Sequence, residues 1–421
     1  MSALPKIVIL GGGFAGLMTA RRLVQAGVVG KTCEVTIIDR SPAHAYTPWL
    51  YEVASGILDA QGQKKDHDAL FVSASVPFHG IPGYQQVHFR HESVKSVDPA
   101  RKIVFLEDGL TIAYDTLVVA LGSEVNYFGI PGFPEHCFPL KSASDAIAIE
   151  RRASEIMKGA MKHDRRNIVI VGGGPTGVEL AGEIMGAVTR LERMEQLIRG
   201  TVRVSLVDRL APLSVFPKAM SRIAVKRLKK IGVHVLSGFS VMEARPKMLV
   251  LKEKDGSIAD LPCDLCVWAG GVTPGKVSRD MVFPHDEKGR ILVEPTFAVK
   301  DADHVYAAGD CIAFCNPLTN TLEPMTAQSA IGQGRWIAVN ILRDLKGLPL
   351  KPFPFRKRWD VLIALSGKFG VGNIRGITFS GPLAFYLRRF VDFRYFFHIL
   401  PWPMALKKWL RGVIIYDKND A

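Results

Sequence analysis

The 421-residue sequence predicts an α/β protein in which one design is used twice. Three observations carry this. A buried-strand run, Lys6–Leu10, enters a glycine-rich turn, Gly11-Gly-Gly13-Phe-Ala-Gly16, and leaves it as a helical stretch, Leu17–Val24. The same order recurs as Asn167–Val171, Gly172-Gly-Gly174-Pro-Thr-Gly177 and Val178–Glu183. Each unit also has a second strand ending in an acid: Glu34–Ile38 leads to Asp39, and Val202–Val207 leads to Asp208.

A lone GxGxxG run is weak evidence, but strand, turn, helix and acid together make a Rossmann-like dinucleotide-binding unit. Gly11 and Gly172 permit the tight turn. Gly13 and Gly174 let the backbone approach a pyrophosphate, and Gly16 and Gly177 let the helix pack closely on the strand. The helix N-terminus then faces the anion. The acids can accept hydrogen bonds from ribose hydroxyls. Asp208 lies 36 residues beyond Gly172, more than the usual spacing of about 20, so Ile184–Arg199 extends the helix. A carboxylate there repels a 2′-phosphate and favours NADH over NADPH, a preference that the neighbouring Arg209 moderates.

Two further segments link the repeats. Tyr114–Gly122 reads as a strand closing in a glycine turn, and His304–Asp310 as a short strand closing in Gly-Asp. This order resembles the two-dinucleotide-binding flavoproteins typified by glutathione reductase. The resemblance implies an FAD domain that is interrupted by an NAD(H) domain and then resumes. The expected boundaries are 1–123 for the first FAD part, 124–283 for the NAD(H) domain, 284–350 for the second FAD part and 351–421 for a C-terminal region. It also implies that Asp310 binds the ribityl chain of the flavin.

A finer resemblance rests on five segments: His44–Gly56 (HAYTPWLYEVASG), Val118–Gly132, Gly172–Glu179, Trp268–Val272 and Thr326–Ala330. These resemble type II NADH:quinone oxidoreductases, which pass electrons from NADH through FAD to a membrane quinone without pumping protons. The likeness implies FAD contacts from Gly11, Gly13, Phe14, Ala15, Gly16, Asp39, Arg40, Pro48, Ala120, Gly122, Asp310, Ala327 and Gln328. It implies NADH contacts from Gly172, Gly174, Pro175, Thr176, Gly177, Glu179 and Asp208, with Gly270 and Gly271 allowing a close approach to a ring. Glu179 and Gln328 are the implied catalytic residues; the bland alternative for Glu179 is a carboxylate favoured by the helix dipole. Glu183, one turn on, reads as ordinary. The sequence departs from the family twice. Gly332 stands where a second glutamine is usual, with Gln333 one residue and about 100° away on a helix. Gln61–Asp68 replaces a usual Pro-Leu-Arg-like segment within the stretch from Asp59 to Ile81.

Composition narrows the class. Hydrophobic residues make up 48% and charged residues 22%, as in an ordinary globular protein. The strand at Lys6 leads us to expect no signal or transit peptide, and no apolar run reaches the roughly 18 residues of a spanning helix. Six scattered cysteines make no disulfide framework. Cys263-Asp-Leu-Cys266 is the only CxxC. On an extended strand its cysteines would point to opposite faces, so they read as core residues rather than a redox pair. Cys311 and Cys315 could be close on a helix, again with a structural role favoured. No zinc or iron–sulfur spacing occurs, so no metal is expected. Sulfide:quinone chemistry, an alternative within the superfamily, would have to draw on Cys137 with Cys311 or Cys315. A further alternative is an NADH-sensing flavoprotein that does not turn over.

The charge is concentrated at the C-terminus. Residues 341–421 hold 15 Lys/Arg and 5 Asp/Glu, ten of the net +14. Leu406, Trp409, Leu410, Val413 and Ile414 fall on one helical face, with Lys407, Lys408 and Arg411 off it. Phe393, Phe396 and Phe397 surround Arg394 just upstream, and Pro401 and Pro403 separate the two stretches. This pattern suits an amphipathic, membrane-anchoring region on an anionic membrane surface. The alternative is a stripe packed on the protein body or on a second subunit in a homodimer. No recognition motif accompanies the charge, so nucleic acid is not an expected partner. The expected location is peripheral, on the cytoplasmic face of the cell inner membrane.

Overall fold

The computed structural model describes residues 3–56, 74–160, 165–357 and 359–416, with side chains described through Val413. The Gln61–Asp68 departure and the side chain of Ile414 lie outside the described residues. The chain forms two compact units. The first comprises Met1–Ala45, Val76–Glu124 and Val272–Lys357; the second comprises Tyr46–Ser75, Val125–Gly271 and Arg358–Ala421.

In the first unit a five-stranded sheet runs in the order Val305–Ala307, Thr116–Val119, Lys6–Leu10, Glu34–Asp39, His88–His91. All neighbours are parallel. The central strands are continuous runs of Val, Ile and Leu because both faces are covered; Ile7, Ile9, Leu10, Leu117 and Val118 are fully buried. Burying each such side chain stabilises by roughly 1.5–3 kcal/mol. The helices Phe14–Gln25 and Ala327–Asp344 cross closely. A Cβ on Gly334 would stand 2.1 Å from the Ala15 carbonyl oxygen, and Thr19 Oγ1 donates to the Gly334 carbonyl at 3.0 Å. After His88–His91 the chain crosses to the other side of Lys6–Leu10. The switch point thus falls between Lys6–Leu10 and Thr116–Val119, where ligands bind in such sheets.

The second unit repeats the plan. Its parallel sheet is ordered Cys137–Pro139, Leu265–Trp268, Arg166–Val171, Val202–Asp208, His234–Ser237. The expected extension of the post-turn helix is present to Arg193, as the helix Pro175–Arg193. Each unit also carries a three-stranded antiparallel sheet, Val94–Asp98 to Thr111–Ala113 in the first and Ser240–Arg245 to Ile258–Pro262 in the second.

The C-terminal part of the second unit is an antiparallel sheet, Val361–Ala364, Gly370–Ile374 and Ile377–Gly381, followed by the helices Pro382–Ile399 and Trp402–Tyr416. Pro401 separates the helices, as its missing N–H and fixed φ require. Among the described residues no helix is long and apolar enough to cross a membrane.

The packing of these helices corrects two readings. Lys408 is off the apolar stripe of Leu406, Trp409, Leu410 and Val413, as expected, but the side of the helix that packs is its own, with Ala405 and Gly412. Its Nζ donates to the Ser75 carbonyl at 2.5 Å and sits 5.7 Å from the centre of the Phe396 ring. Burial lowers its pKa to about 8. Gly412 is needed there because a Cβ would stand 2.4 Å from the Trp49 ring. Likewise Arg388 and Arg389, counted with the basic tail, are buried. Besides Leu410 on the last helix, an exposed apolar stripe lies on the preceding one: Leu383 (64% exposed), Tyr386 (57%), Phe390 (57%) and Phe397 (51%). At 100° per residue these four fall within about 60° of one another.

Candidate functional site

The first glycine turn is shaped by contact. Gly11 has φ +99°, and a Cβ there would stand 2.3 Å from the Ala120 carbonyl oxygen. A Cβ on Gly16 would stand 1.9 Å from the Gly11 carbonyl oxygen. Asp39 fastens the turn to the neighbouring strand. Its Oδ2 accepts from the Gly12 N–H at 2.6 Å and its Oδ1 from the Ser41 N–H at 2.7 Å. Burial nevertheless raises the Asp39 pKa, with these bonds acting in the opposite sense. The buried His44 ring meets Phe14 edge-on at 4.9 Å, and its Nδ1 lies 3.1 Å from the Gly12 carbonyl oxygen.

The second turn matches it atom for atom. Gly172 has φ +119°, and its Cβ would stand 2.6 Å from the Ala269 carbonyl. A Cβ on Gly177 would stand 1.9 Å from the Gly172 carbonyl oxygen. Asp208 Oδ2 accepts from the Gly173 N–H at 2.5 Å and Oδ1 from the Leu210 N–H at 2.8 Å.

Both turns fit a dinucleotide. The space where Gly13 and Gly174 would carry a Cβ is open, and neither following helix has a side-chain cap. Backbone N–H groups at the two helix starts are thus left for a pyrophosphate. No acid occupies either first helical turn to oppose an anion.

A third element of the first unit is the Gly309–Cys311 turn. Asp310 Oδ2 accepts from Ser123 Oγ at 2.6 Å. Gln333 is fully within the core; its Oε1 accepts from the Gly309 N–H at 2.7 Å and its Nε2 donates to Ser329 Oγ at 3.0 Å. Gln328 begins the same helix and is exposed. Gly332 faces Phe353, with ordinary contact at 3.5 Å for an added Cβ. The glutamine one residue from the family position is therefore the one that holds the Gly-Asp turn. Its buried position on the Ala327–Asp344 helix is what sequence spacing alone did not reveal.

Other expected residues lie in these settings. Arg40, Gly122 and Ala327 are in the first unit, as are Ala120 and Phe14. Pro48 is in the second, where its carbonyl accepts from Arg388 Nη2 at 3.2 Å. Gly270 and Gly271 border aromatic rings of their own unit. A Cβ on Gly270 would stand 2.3 Å from the Trp268 ring, and one on Gly271 2.7 Å from Phe128.

Cys137, Cys263 and Cys266 share one buried apolar cluster with Phe133 and Trp268. Cys137 and Cys266 are opposite on adjacent strands, their sulfurs 2.6 Å apart. Cys263 precedes the Leu265–Trp268 strand, so the opposite-face argument does not hold, although both cysteines of the CxxC are core residues. Burial pushes the Cys311 thiol up to about 12. Cys311 lies in a tight turn and Cys315 on an exposed strand, not together on a helix. Among the described residues no group of three His, Cys, Asp or Glu could hold a metal.

Glu179 brings unexpected company. It is buried just past the first turn of the Pro175–Arg193 helix, where its Oε1 accepts from the Ala364 N–H at 3.3 Å and lies 3.9 Å from Arg388 Nε. Arg388 also pairs with Asp392, which accepts from Tyr46 Oη at 2.6 Å and from Trp49 Nε1 at 3.0 Å. Beside them Arg389 Nη1 pairs with Glu52 Oε1 at 2.5 Å, and Tyr51 Oη donates to the same oxygen at 2.9 Å. Burial raises both Glu52 and Glu179 to about 7, against the pull of Arg389 and Arg388 respectively. The i, i+4 spacing of Arg388 and Asp392 was the available sequence signal for this cluster.

The sequence model of the pyridine nucleotide-disulphide oxidoreductase family matches residues 5–334. A type II NADH:quinone oxidoreductase of Staphylococcus saprophyticus is 29% identical over 410 residues, 96% of this chain and 98% of that protein. The enzyme of the same name from Staphylococcus aureus is equally similar. Among solved structures, NDH2 from Plasmodium falciparum in complex with NADH aligns with a TM-score of 0.80 at 16% identity, covering 99% of this chain and 98% of that one. The sulfide:quinone oxidoreductase of Aquifex aeolicus aligns with a TM-score of 0.77 at 19% identity, covering 97% and 92%. At such identities the structural likeness speaks to the fold.

Proposed function

Because the chain belongs to the pyridine nucleotide-disulphide oxidoreductase family, we propose that it is an FAD-dependent enzyme that carries electrons from NADH to a membrane quinone without pumping protons. The observation that carries this reading is the doubled cradle. Two glycine turns, each clipped to an acid at Asp39 or Asp208, open uncapped helix N-termini to a pyrophosphate.

In this reading the first unit holds FAD through Gly11, Gly13, Phe14, Ala15, Gly16, Asp39, Ala120, Gly122 and Asp310. Arg40, Pro48, Ala327 and Gln328 follow by resemblance. The second unit holds NADH through Gly172, Gly174, Pro175, Thr176, Gly177 and Asp208, with Gly270 and Gly271 as implied neighbours. FAD, when bound, supplies a two-electron acceptor for the hydride of NADH and a donor to quinone. The protein binds and orients the two nucleotides. The fixed Asp208 carboxylate favours NADH over its 2′-phosphorylated form. Glu179 and Gln328 are the proposed catalytic residues.

Attachment to the membrane is peripheral in this reading. The stripe from Leu383 to Phe397 would enter the interface of an anionic membrane, and the cytoplasmic face of the inner membrane is the proposed side. The buried thiols at Cys137 and Cys311 weigh against the sulfide alternative. Anaerobic titration of the holoenzyme tests the whole scheme. NADH should bleach the flavin and a soluble quinone should restore it. No bleaching would refute the donor, and no recovery with several quinones would refute the acceptor.

A further inference from the structure

Three carboxylates face two guanidiniums in the buried cluster of the second unit. Glu52 is 2% exposed, Glu179 7%, Asp392 1%, and Arg388 and Arg389 8% each. With every group charged, the cluster would carry one uncompensated negative charge almost closed to water. Binding a proton removes that charge at lower cost than burying it.

The bonding says where the proton can reside. Asp392 accepts on both oxygens: Tyr46 Oη and Arg388 share one, and Trp49 Nε1 donates to the other. Glu52 is half-used. Its Oε1 receives both Tyr51 and Arg389, while its buried Oε2 has no partner. Glu179 is loosely held, by the Ala364 N–H at 3.3 Å and Arg388 at 3.9 Å. Other ionisable groups lie around the cluster. Burial beside the carboxylates keeps Tyr46 and Tyr51 protonated. Glu183 is buried one turn beyond Glu179, and Glu150 is buried on the Ala143–Ala160 helix, accepting from Ser154 Oγ at 2.9 Å. Lys408, from the last helix, donates to the Ser75 carbonyl.

We propose that Glu52, Glu179, Asp392, Arg388 and Arg389 act as one site that stores a single proton shared between Glu52 and Glu179, and that quinone reduction consumes this proton. The use of the proton rests on the quinone reading; the store does not. The balance is NADH + H⁺ + quinone → NAD⁺ + quinol. The hydride brings two electrons and one proton, and the quinol contains two added protons, so each turnover needs one more. Glu52 is a positioning residue here, since its charge adds to the burial that raises Glu179. The raised carboxyls of both glutamates agree with a proton held near neutral pH. Two groups coupled in this way titrate as a pair.

Infrared titration of the carboxylic-acid C=O band in the holoenzyme tests the charge count. The wild type should lose one protonated carboxyl as pH rises through neutrality. Glu52→Gln leaves two carboxylates against two guanidiniums, so the band should vanish from the neutral range. Glu179→Gln should do the same. The double variant Glu52→Gln/Arg389→Gln restores one excess carboxylate, so the band should return. It also avoids leaving Arg389 buried without its partner should the single variant fold poorly. If each single variant keeps the other glutamate's titration, or the double variant shows none, the shared store is refuted. With a soluble quinone, Glu52→Gln should lower kcat about tenfold or more at neutral pH and remove its neutral inflection, and the double variant should regain both. An intact infrared pattern in an enzyme that NADH bleaches but quinone does not reoxidise would refute the proposed use of the proton and leave the store standing.

Discussion

Gln333 Oε1 accepts the Gly309 backbone N–H at 2.7 Å, tying the helix Ala327–Asp344 to the turn that carries Asp310. Its Nε2 also donates to Ser329 Oγ, so both ends of the amide are used. Gln333→Ala would leave the Gly309 N–H without its partner. We expect a loss of about 1–3 kcal/mol in stability and weaker retention of FAD. Thermal unfolding followed by flavin release measures both. Unchanged FAD retention would show that the turn holds its shape without Gln333.

Gly332, one residue earlier, should behave differently. Its φ is not in the left-handed region, and an added methyl meets Phe353 at 3.5 Å. Alanine there restores ordinary helical stiffness, which favours the folded state by roughly 0.4–1 kcal/mol. Gly332→Ala should raise the denaturation midpoint slightly and leave FAD content as in the wild type. A marked loss of stability would mean that this helix position is tighter than the contact distance implies.

The two clipping acids should separate the nucleotides. Asp208→Ala removes the acceptor for the Gly173 N–H and the proposed ribose contact. We expect KM for NADH to rise about tenfold or more, with FAD content unchanged, as loss of one charge-assisted hydrogen bond of about 1.5–3 kcal/mol implies. Asp39→Ala should instead yield protein depleted of FAD. Flavin absorbance per protein and NADH kinetics distinguish the two, and equal effects on both nucleotides from either variant would contradict the assignment.

Strands and glycine turns were legible in the sequence because they are local. Four or five apolar residues, a GxGxxG run and a closing acid each lie within a short window, as at Lys6–Gly16 and Asn167–Gly177. The buried charge cluster was not legible. Glu52 and Arg389 are 337 residues apart, and their pairing depends on how the Pro382–Ile399 helix packs. The same packing turns Lys408 inward and leaves Leu383 and Phe390 outward, although composition alone made the basic residues look like a surface patch. Periodicity identified an apolar face, but the buried face carries the small residues Ala405 and Gly412, the latter against Trp49.

Thiol chemistry gives a direct check on the cysteines. All six are free, and only Cys315 is exposed. Burial also raises the pKa values of Cys33, Cys266 and Cys311. A thiolate-selective reagent should therefore label one site, Cys315, in the native holoenzyme and all six after denaturation. Fast labelling of Cys137 or Cys311 in the native protein would reopen the sulfide alternative.

Stability should depend on pH with a definite sign. Glu52 and Glu179 have folded values of about 7 against the ordinary 4.5, so the folded protein binds more protons than the unfolded chain between these limits. Their contribution to stability is full below 4.5 and declines as pH rises through 7. Lys408 acts oppositely in a higher window: its value of about 8 against 10.5 means that stability rises as pH climbs between them. Denaturant midpoints compared between wild type and Glu52→Gln isolate the carboxyl contribution from all other titrations. The wild type should lose more stability than the variant on going from about pH 5 to about pH 8. A parallel pH dependence in the two proteins would show that Glu52 is already ionised across that range.

Membrane attachment should reside in the exposed stripe and not in the buried basic residues. Phe390 and Phe397 expose 57% and 51% of their surface and lie on the same side of their helix. Inserting one such ring into an interface is worth up to about 1.5–3 kcal/mol, or roughly a tenfold to hundredfold change in partitioning. Phe390→Glu and Phe397→Glu should each weaken cosedimentation with anionic vesicles on that scale while leaving the unfolding midpoint nearly unchanged. Lys408→Gln should do the reverse, lowering stability through loss of its bond to the Ser75 carbonyl with little effect on vesicle binding. Retained vesicle binding in a Phe390→Glu/Phe397→Glu double variant would locate attachment elsewhere. A shift in oligomeric state in that variant would identify the stripe as a subunit contact.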